Sequence, residues 1–163
     1  MKRLMICCAL LLSLIGCKNE PDPELTNKDI AKVLEQMTQF MIHDVTNPPL
    51  AGRFYSYACI AGYTVVALND STIVPFKGIL NEFPEIKKPL DSGRYSYQLS
   101  AILAMTGTAK KMQPSGKQFE EFEAKFLDSC RTLGFSDKVI ERSQSYANQI
   151  IKQIMPYSKK DRY

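Results

Sequence analysis

The region that follows a pair of prolines at residues 48–49 has no charged side chain over residues 54–68. A helix with apolar residues on every side is typical of the centre of a protein. The region is too short to cross a bilayer, which takes about 20 residues. The pattern therefore predicts a central apolar helix over residues 48–68, with other helices packed around it.

Other segments repeat apolar residues at the three- and four-residue spacing of amphipathic helices. They lie near residues 27–46, 76–83, 95–112, 118–133 and 137–155. No convincing alternation of apolar and polar residues predicts a strand. The predicted fold class is therefore all-α, a multi-helix bundle of about six helices.

Capping signals predict where several of these helices begin and end. Thr26 or Asn27 can cap the first helix, and Ser115 with Gln118 three residues later has the pattern of a capping box for the fifth. A residue before proline is pushed out of the helical region, so the first helix ends before Asn47. The remaining start and stop signals are Ser136, Gly134 and Pro156.

The single histidine lies at the break before the central helix. His43 beside Asp44 could form an oriented general base. A histidine at a helix C-terminus also interacts with the last carbonyls, and adjacent helical residues do not face each other. We therefore interpret His43 as structural, Asp44 and Asn47 as hydrogen-bonding the backbone of the break, and Pro48 and Pro49 as the first turn of the next helix.

Arg53 is the one charge that borders the apolar helix. It could bind an anion, but pairing with an acidic residue or snorkelling of its stem is the favoured interpretation. Five tyrosines could line a ligand groove, although aromatic residues at helical spacing belong more often to the core. They are Tyr55, Tyr57, Tyr63, Tyr95 and Tyr97.

The first seventeen residues have the order of an export signal. Lys2 and Arg3 precede an apolar segment, residues 4–15, which ends in Gly16 and Cys17. This end resembles the bacterial lipobox, whose peptide is cut before a cysteine that becomes lipid-modified. The alternatives are an ordinary secretory leader or an apolar start without function.

The lipobox resemblance divides the chain into three parts and implies an address in the bacterial cell envelope. The helical domain would lie outside the cytoplasm, attached to a membrane through lipid on Cys17. The parts are a signal peptide (1–16), the lipidated cysteine with a polar, proline-rich tether (17–26) and a helical domain (27–163).

Removal of the leader leaves Cys17 and two further cysteines, Cys59 and Cys130. An oxidising compartment would allow these two to form a disulfide. Cys59 lies in the apolar run, so we favour buried free thiols. Two cysteines and one distant histidine match no metal site of known spacing.

The charge of the chain argues against nucleic acid as a partner. The 21 basic and 17 acidic residues give +4. Loss of Lys2 and Arg3 with the leader leaves 19 against 17, or +2. No dense basic stripe precedes the last few residues, so no electrostatic footprint for nucleic acid is present.

Three stretches together resemble a known family. They are HDVTNPPLAGRFYSYACIAGY from residue 43, YSYQLSAILAMTGTAKKMQPSG from residue 95 and FLDSCRTLGFSDKVIERSQSYANQIIKQI from residue 126. The sequence resembles the N-terminal helical region of bacterial lipoproteins and secreted proteins of the vanadium-dependent haloperoxidase and type 2 phosphatidic acid phosphatase (PAP2) superfamily. The resemblance covers nearly all of residues 27–163.

The resemblance implies an all-helical fold and, for the full-length family, a site for vanadate or phosphate. That site uses a lysine, an Arg-Pro pair, a Pro-Ser-Gly-His motif and a later arginine and histidine. This chain has one histidine and no arginine followed by proline, and Lys117 stands where residues 114–116 would be followed by histidine. No catalytic residue, metal ligand or cofactor is therefore assigned to this chain, and the resemblance implies a catalytic half beyond Tyr163.

Three hypotheses follow. The chain is the lipid-anchored N-terminal part of a phosphatase- or haloperoxidase-like enzyme, inactive alone, whose partner is a missing C-terminal catalytic half. Alternatively, it is a self-sufficient, non-enzymatic helical lipoprotein that acts as a binding or scaffold module. A third hypothesis is an independent hydrolase that uses His43 and Asp44.

Overall fold

The computed structural model describes residues 23–90 and 93–161. These residues form five α-helices and no strand, so the all-α class is confirmed, while the expected count of about six helices is not. The predicted signal peptide and Cys17 lie outside the described residues. The elements are α1 (Asn27–His43), α2 (Pro48–Ala67), α3 (Tyr97–Met112), a 3₁₀ turn (Gly116–Gln118), α4 (Phe119–Leu133) and α5 (Asp137–Ser158).

Polar side chains fix the starts of the helices. The Thr26 hydroxyl accepts a hydrogen bond from the Lys28 N–H, and the Thr26 N–H donates to the Asp29 carboxylate at 2.9 Å, which completes a capping box at α1. Ser96 caps α3 and Ser136 caps α5. These side chains accept backbone N–H groups that have no partner within the helix.

The central helix is α3 rather than α2, so the prediction of a bundle around residues 48–68 is wrong. Ten of the sixteen residues of α3 are buried, against seven of the twenty of α2. Gly62 of α2 faces Met105 of α3, and Gly107 of α3 faces Ile151 of α5. A Cβ at either glycine would lie within 2.6 Å of the facing side chain. Small residues therefore let α2 and α5 approach α3 closely.

The helix predicted near residues 76–83 is also wrong, because this segment folds as turns. Gly78 and Glu82 have φ angles of 80° and 52°, which a right-handed helix does not allow. The apolar residues that suggested a helix in this segment instead make contacts between aromatic rings. The Phe76 ring lies 4.3 Å from that of Tyr63, and the Phe83 ring lies 5.1 Å from that of Tyr157.

Hydrogen bonds tie this long connection to α5. The Gln153 side chain accepts from the Lys87 N–H at 2.8 Å and donates to the Lys87 carbonyl at 2.9 Å. The Tyr157 hydroxyl donates to the Asn81 carbonyl at 2.9 Å. The described part of the connection therefore has a defined path although it contains no helix.

Two predicted features near the ends of α4 and α5 are wrong. The Ser115 side chain makes no capping bond, so the expected capping box with Gln118 does not form. Pro156 lies inside α5, which continues to Ser158. A proline removes one N–H donor, and here the loss falls in the last turn of the helix. None of the helices in the described residues has the length and apolar character of a membrane-spanning segment.

Candidate functional site

The structure brings His43 and Asp44 into contact with Ser115, which lies 72 positions from His43 along the chain. Asp44 follows the last residue of α1, and its carboxylate accepts the Ser115 N–H at 2.9 Å and also the Ser115 hydroxyl. His43 Nδ1 lies 3.1 Å from Asp44 Oδ1. Because Asp44 has left the regular helix, the expectation that the two side chains would not face each other is wrong.

The chemistry of this cluster is that of a structural contact. Burial would raise the pKa of Asp44, but hydrogen bonds from Ser115 and His43 hold it below its usual value. The Ser115 hydroxyl donates to this weakly basic carboxylate, while the His43 side chain is 67% exposed. A nucleophilic serine needs a general base that takes its proton. The cluster instead holds the 3₁₀ turn against the end of α1.

The backbone of this turn leaves no space for a side chain at Gly116. A Cβ there would lie 1.9 Å from the Lys110 carbonyl oxygen. The Gly116 N–H donates to the Gln113 carbonyl at 3.0 Å. The Pro-Ser-Gly sequence therefore allows the chain to turn tightly after α3. The residue that follows it, Lys117, is exposed.

The other residues of the break start α2. The Asn47 side chain accepts the Leu50 N–H at 3.0 Å, and Pro48 and Pro49 occupy the first two positions of the helix. Proline is suited to these positions because their N–H groups have no partner within the helix. The prolines thus redirect the chain without loss of a helical hydrogen bond.

Arg53 joins α2 to the end of α5. Its guanidinium donates to the Asp161 carboxylate at 2.7 and 3.2 Å and to the Ser158 carbonyl at 2.5 Å. It also lies 5.4 Å from the centre of the Tyr57 ring. Burial, together with the neighbouring Asp161 carboxylate, raises the pKa of Tyr57 to about 12. Arg53 therefore contacts an acidic residue and an orphan carbonyl at a helix C-terminus.

The predicted tyrosines divide between core and surface. Tyr57 is buried, whereas Tyr63 and Tyr97 are 37% and 38% exposed. The Tyr95 ring stacks on that of Tyr146 at 4.6 Å, and both hydroxyls hydrogen-bond Asn69. Tyr95, Tyr146 and Asn69 form a polar link between the end of α2 and α5.

Both cysteines of the helical domain are free thiols, but the prediction that both are buried is wrong for Cys59. Cys130 is fully buried, and burial raises the pKa of its thiol to about 11. Cys59 is exposed, although its partly apolar surroundings also raise the pKa of its thiol. Because α2 is largely apolar, its composition did not indicate that one side of the helix is exposed.

Cys59 lines an open groove of about 500 Å³ between the start of α1, α2 and α3, which we call the apolar groove. No charged residue lines it. Its apolar side chains include Leu25, Ile30, Val66, Ile73, Ile102 and Met105, and its polar ones are Thr26, Asn27 and Gln98 together with the hydroxyls of Tyr63 and Tyr97. Sequence spacing did not reveal the groove, because its walls come from segments that lie far apart in the sequence.

The residues described by the structure do not fit a vanadate or phosphate site. They contain no group of three histidine, cysteine or carboxylate side chains that could hold a metal ion. The one histidine contacts a carboxylate, which would repel an oxyanion. Lys117 and Lys125 border a second open groove, but Glu120 and Glu121 line it as well.

No protein-family model matches the sequence, and no curated protein sequence matches it. A solved structure does: that of the first bacterial vanadium-dependent iodoperoxidase, with a TM-score of 0.81 and 25% sequence identity over 90% of this chain. The fold is haloperoxidase-like. The chain spans only 35% of the length of that peroxidase. The haloperoxidase-like helices thus agree with the fold expected from the family resemblance.

Proposed function

We propose that this chain is the lipid-anchored helical part of a haloperoxidase- or PAP2-like protein and that it carries no catalytic centre of its own. Its role is to anchor and to support a catalytic part encoded beyond residue 163. The single observation that carries the proposal is the mismatch in coverage. The similarity extends over 90% of this chain but over 35% of the iodoperoxidase.

The residue content supports the same proposal. The family chemistry needs two histidines, with lysine and arginine side chains around the oxyanion. This sequence has only His43, and none of its arginines precedes a proline. The His43, Asp44 and Ser115 side chains are occupied with one another in a structural contact. The sequence therefore supplies a scaffold without the family motifs that would bind the oxyanion.

The proposed anchor is a lipid on Cys17, which follows a basic and then an apolar segment. The polar tether then connects the anchor to α1. The helical part would be held in the bacterial cell envelope, outside the cytoplasm, with the membrane and the catalytic part as its partners.

Translation of the DNA beyond codon 163 in all three frames tests the central claim. We expect an Arg-Pro pair, a Ser-Gly-His motif and a later arginine and histidine. A stop codon followed by unrelated sequence would contradict the proposal.

A binding assay tests the absence of a catalytic centre directly. Titration of the 163-residue chain with vanadate, followed by ⁵¹V NMR, should show no saturable binding, and phosphate release and halide oxidation should stay at background. His43→Ala should behave as the parent chain does. Activity that the parent has and His43→Ala lacks would instead support an independent hydrolase.

A further inference from the structure

The apolar groove begins where the described chain begins. Leu25 is 7% exposed and lines the groove, and its N–H donates to the Gln98 side chain at 3.3 Å. The first turn of α1 contributes Thr26 and Asn27 to the same rim. Leu25 is therefore fixed at the edge of an uncharged cleft.

The character of the groove defines what can fill it. Its volume of about 500 Å³ lies within the range of about 300–1,000 Å³ typical of ligand sites. Uncharged walls with few polar groups favour an apolar occupant over an ion or a sugar. Ile30 and Tyr63 line the groove and are 38% and 37% exposed, so the groove holds surface that an apolar occupant would cover.

The sequence places such a group within reach. Cys17 lies six positions before Pro23, the first described residue. Six extended residues span up to about 20 Å, and Pro23 is only two positions from the groove-lining Leu25. An acyl chain attached to Cys17 can therefore extend to the groove.

We propose that the apolar groove binds an acyl chain of the lipid on Cys17 when the protein is outside a bilayer. The inference rests on the lipidation proposed above. Such binding would remove both the acyl chain and the groove walls from water, and membrane insertion would empty the groove again. The apolar groove would then shield the protein's own lipid anchor from water.

Cys59 provides a built-in reporter of the occupied groove. It is exposed in the groove, whereas Cys130 is fully buried. The experiment compares the lipidated protein in detergent-free buffer with a Cys17→Ser protein secreted with an ordinary cleavable leader in place of residues 1–16. Mass spectrometry first establishes whether Cys17 carries lipid, and N-ethylmaleimide then measures the alkylation rate of Cys59.

We expect Cys59 to react at least fivefold more slowly in the lipidated protein, and Ile30→Asp in the groove to restore the fast rate. Leu90→Asp is the matched control, because Leu90 is fully exposed outside the groove. The Cys17→Ser protein should bind cis-parinaric acid, with affinity lowered about tenfold by Ile30→Asp and unchanged by Leu90→Asp.

The outcomes separate the two proposals. A lipidated protein in which Cys59 reacts as fast as in Cys17→Ser overturns the groove proposal and leaves the anchor intact. An unmodified Cys17 overturns the proposed anchor and, with it, the occupant of the groove. An equal effect of Ile30→Asp and Leu90→Asp on probe binding also contradicts the groove as the site.

Discussion

The turn between α3 and α4 depends on the carboxylate of Asp44. This residue accepts the Ser115 N–H and hydroxyl, and its side chain is 7% exposed. The lowered pKa means that the folded chain favours the charged carboxylate. Its contribution to stability is therefore present above the ordinary pKa of about 4 and is lost as the pH falls through the lowered value.

Replacement of this carboxylate should destabilise the fold. We expect Asp44→Ala to lower the free energy of unfolding by about 1–3 kcal/mol at pH 7, because the Ser115 donors lose their acceptor. The difference from the parent should shrink as the pH falls below about 4. Urea unfolding followed by circular dichroism measures both effects.

His43→Ala is the control for this prediction. Its side chain is largely exposed, and exposed substitutions usually change stability by less than about 0.5 kcal/mol. Equal losses for Asp44→Ala and His43→Ala would contradict the role assigned to the carboxylate.

Two glycines allow a matched test of backbone packing. Gly116→Ala would place a methyl group against the Lys110 carbonyl, and we expect a loss of about 1–3 kcal/mol. Gly52→Ala in α2 meets no atom within 4 Å and should stabilise the helix by up to about 1 kcal/mol. Chemical denaturation of the two variants should give opposite signs, and the same sign for both would refute this packing.

At the residue scale, local signals could be predicted and long-range contacts could not. The caps by Thr26, Asn47 and Ser136 depend on neighbours within a few positions, so sequence spacing contains the information. The contact between Asp44 and Ser115 spans 71 positions and depends on how α1 meets α3 and α4. The sequence offered a local capping box for Ser115, and the tertiary contact displaced it.

At the scale of elements, composition misidentified the central helix. Apolar residues on all sides of α2 predicted full burial, yet one side of it lines the apolar groove. The small residues of α3 carry little hydrophobicity, but they permit close packing on several sides. How deeply a helix is buried depends on how many other elements can pack against it. The average hydrophobicity of the helix does not measure this.

The connection before α3 gives an element-scale prediction. Gln153→Ala removes both hydrogen bonds to the Lys87 backbone, so the Lys87 amide should lose protection from hydrogen exchange while overall stability changes little. Gln149→Ala, one turn earlier on α5, is the control and should leave that amide protected. Unchanged exchange at Lys87 in Gln153→Ala would contradict the role assigned to the Gln153 side chain in holding this segment.

At the scale of the molecule, the described helices share one hydrophobic core. We therefore expect one cooperative unfolding transition, with the same midpoint by far-ultraviolet and by near-ultraviolet circular dichroism, where tyrosine is the aromatic reporter because the chain has no tryptophan. Two separated midpoints would indicate that part of the bundle unfolds independently. The all-α class was predictable at this scale because helical periodicity recurs along the whole chain.

The contacts of α2 also show where the two ends of the described chain lie. Arg53, near the start of α2, holds Asp161, whereas Val66, near its other end, lines the groove entered by Leu25. Thirteen helical residues separate Arg53 from Val66, a rise of about 20 Å along the axis. The incoming and outgoing ends of the described chain therefore lie toward opposite ends of one helix.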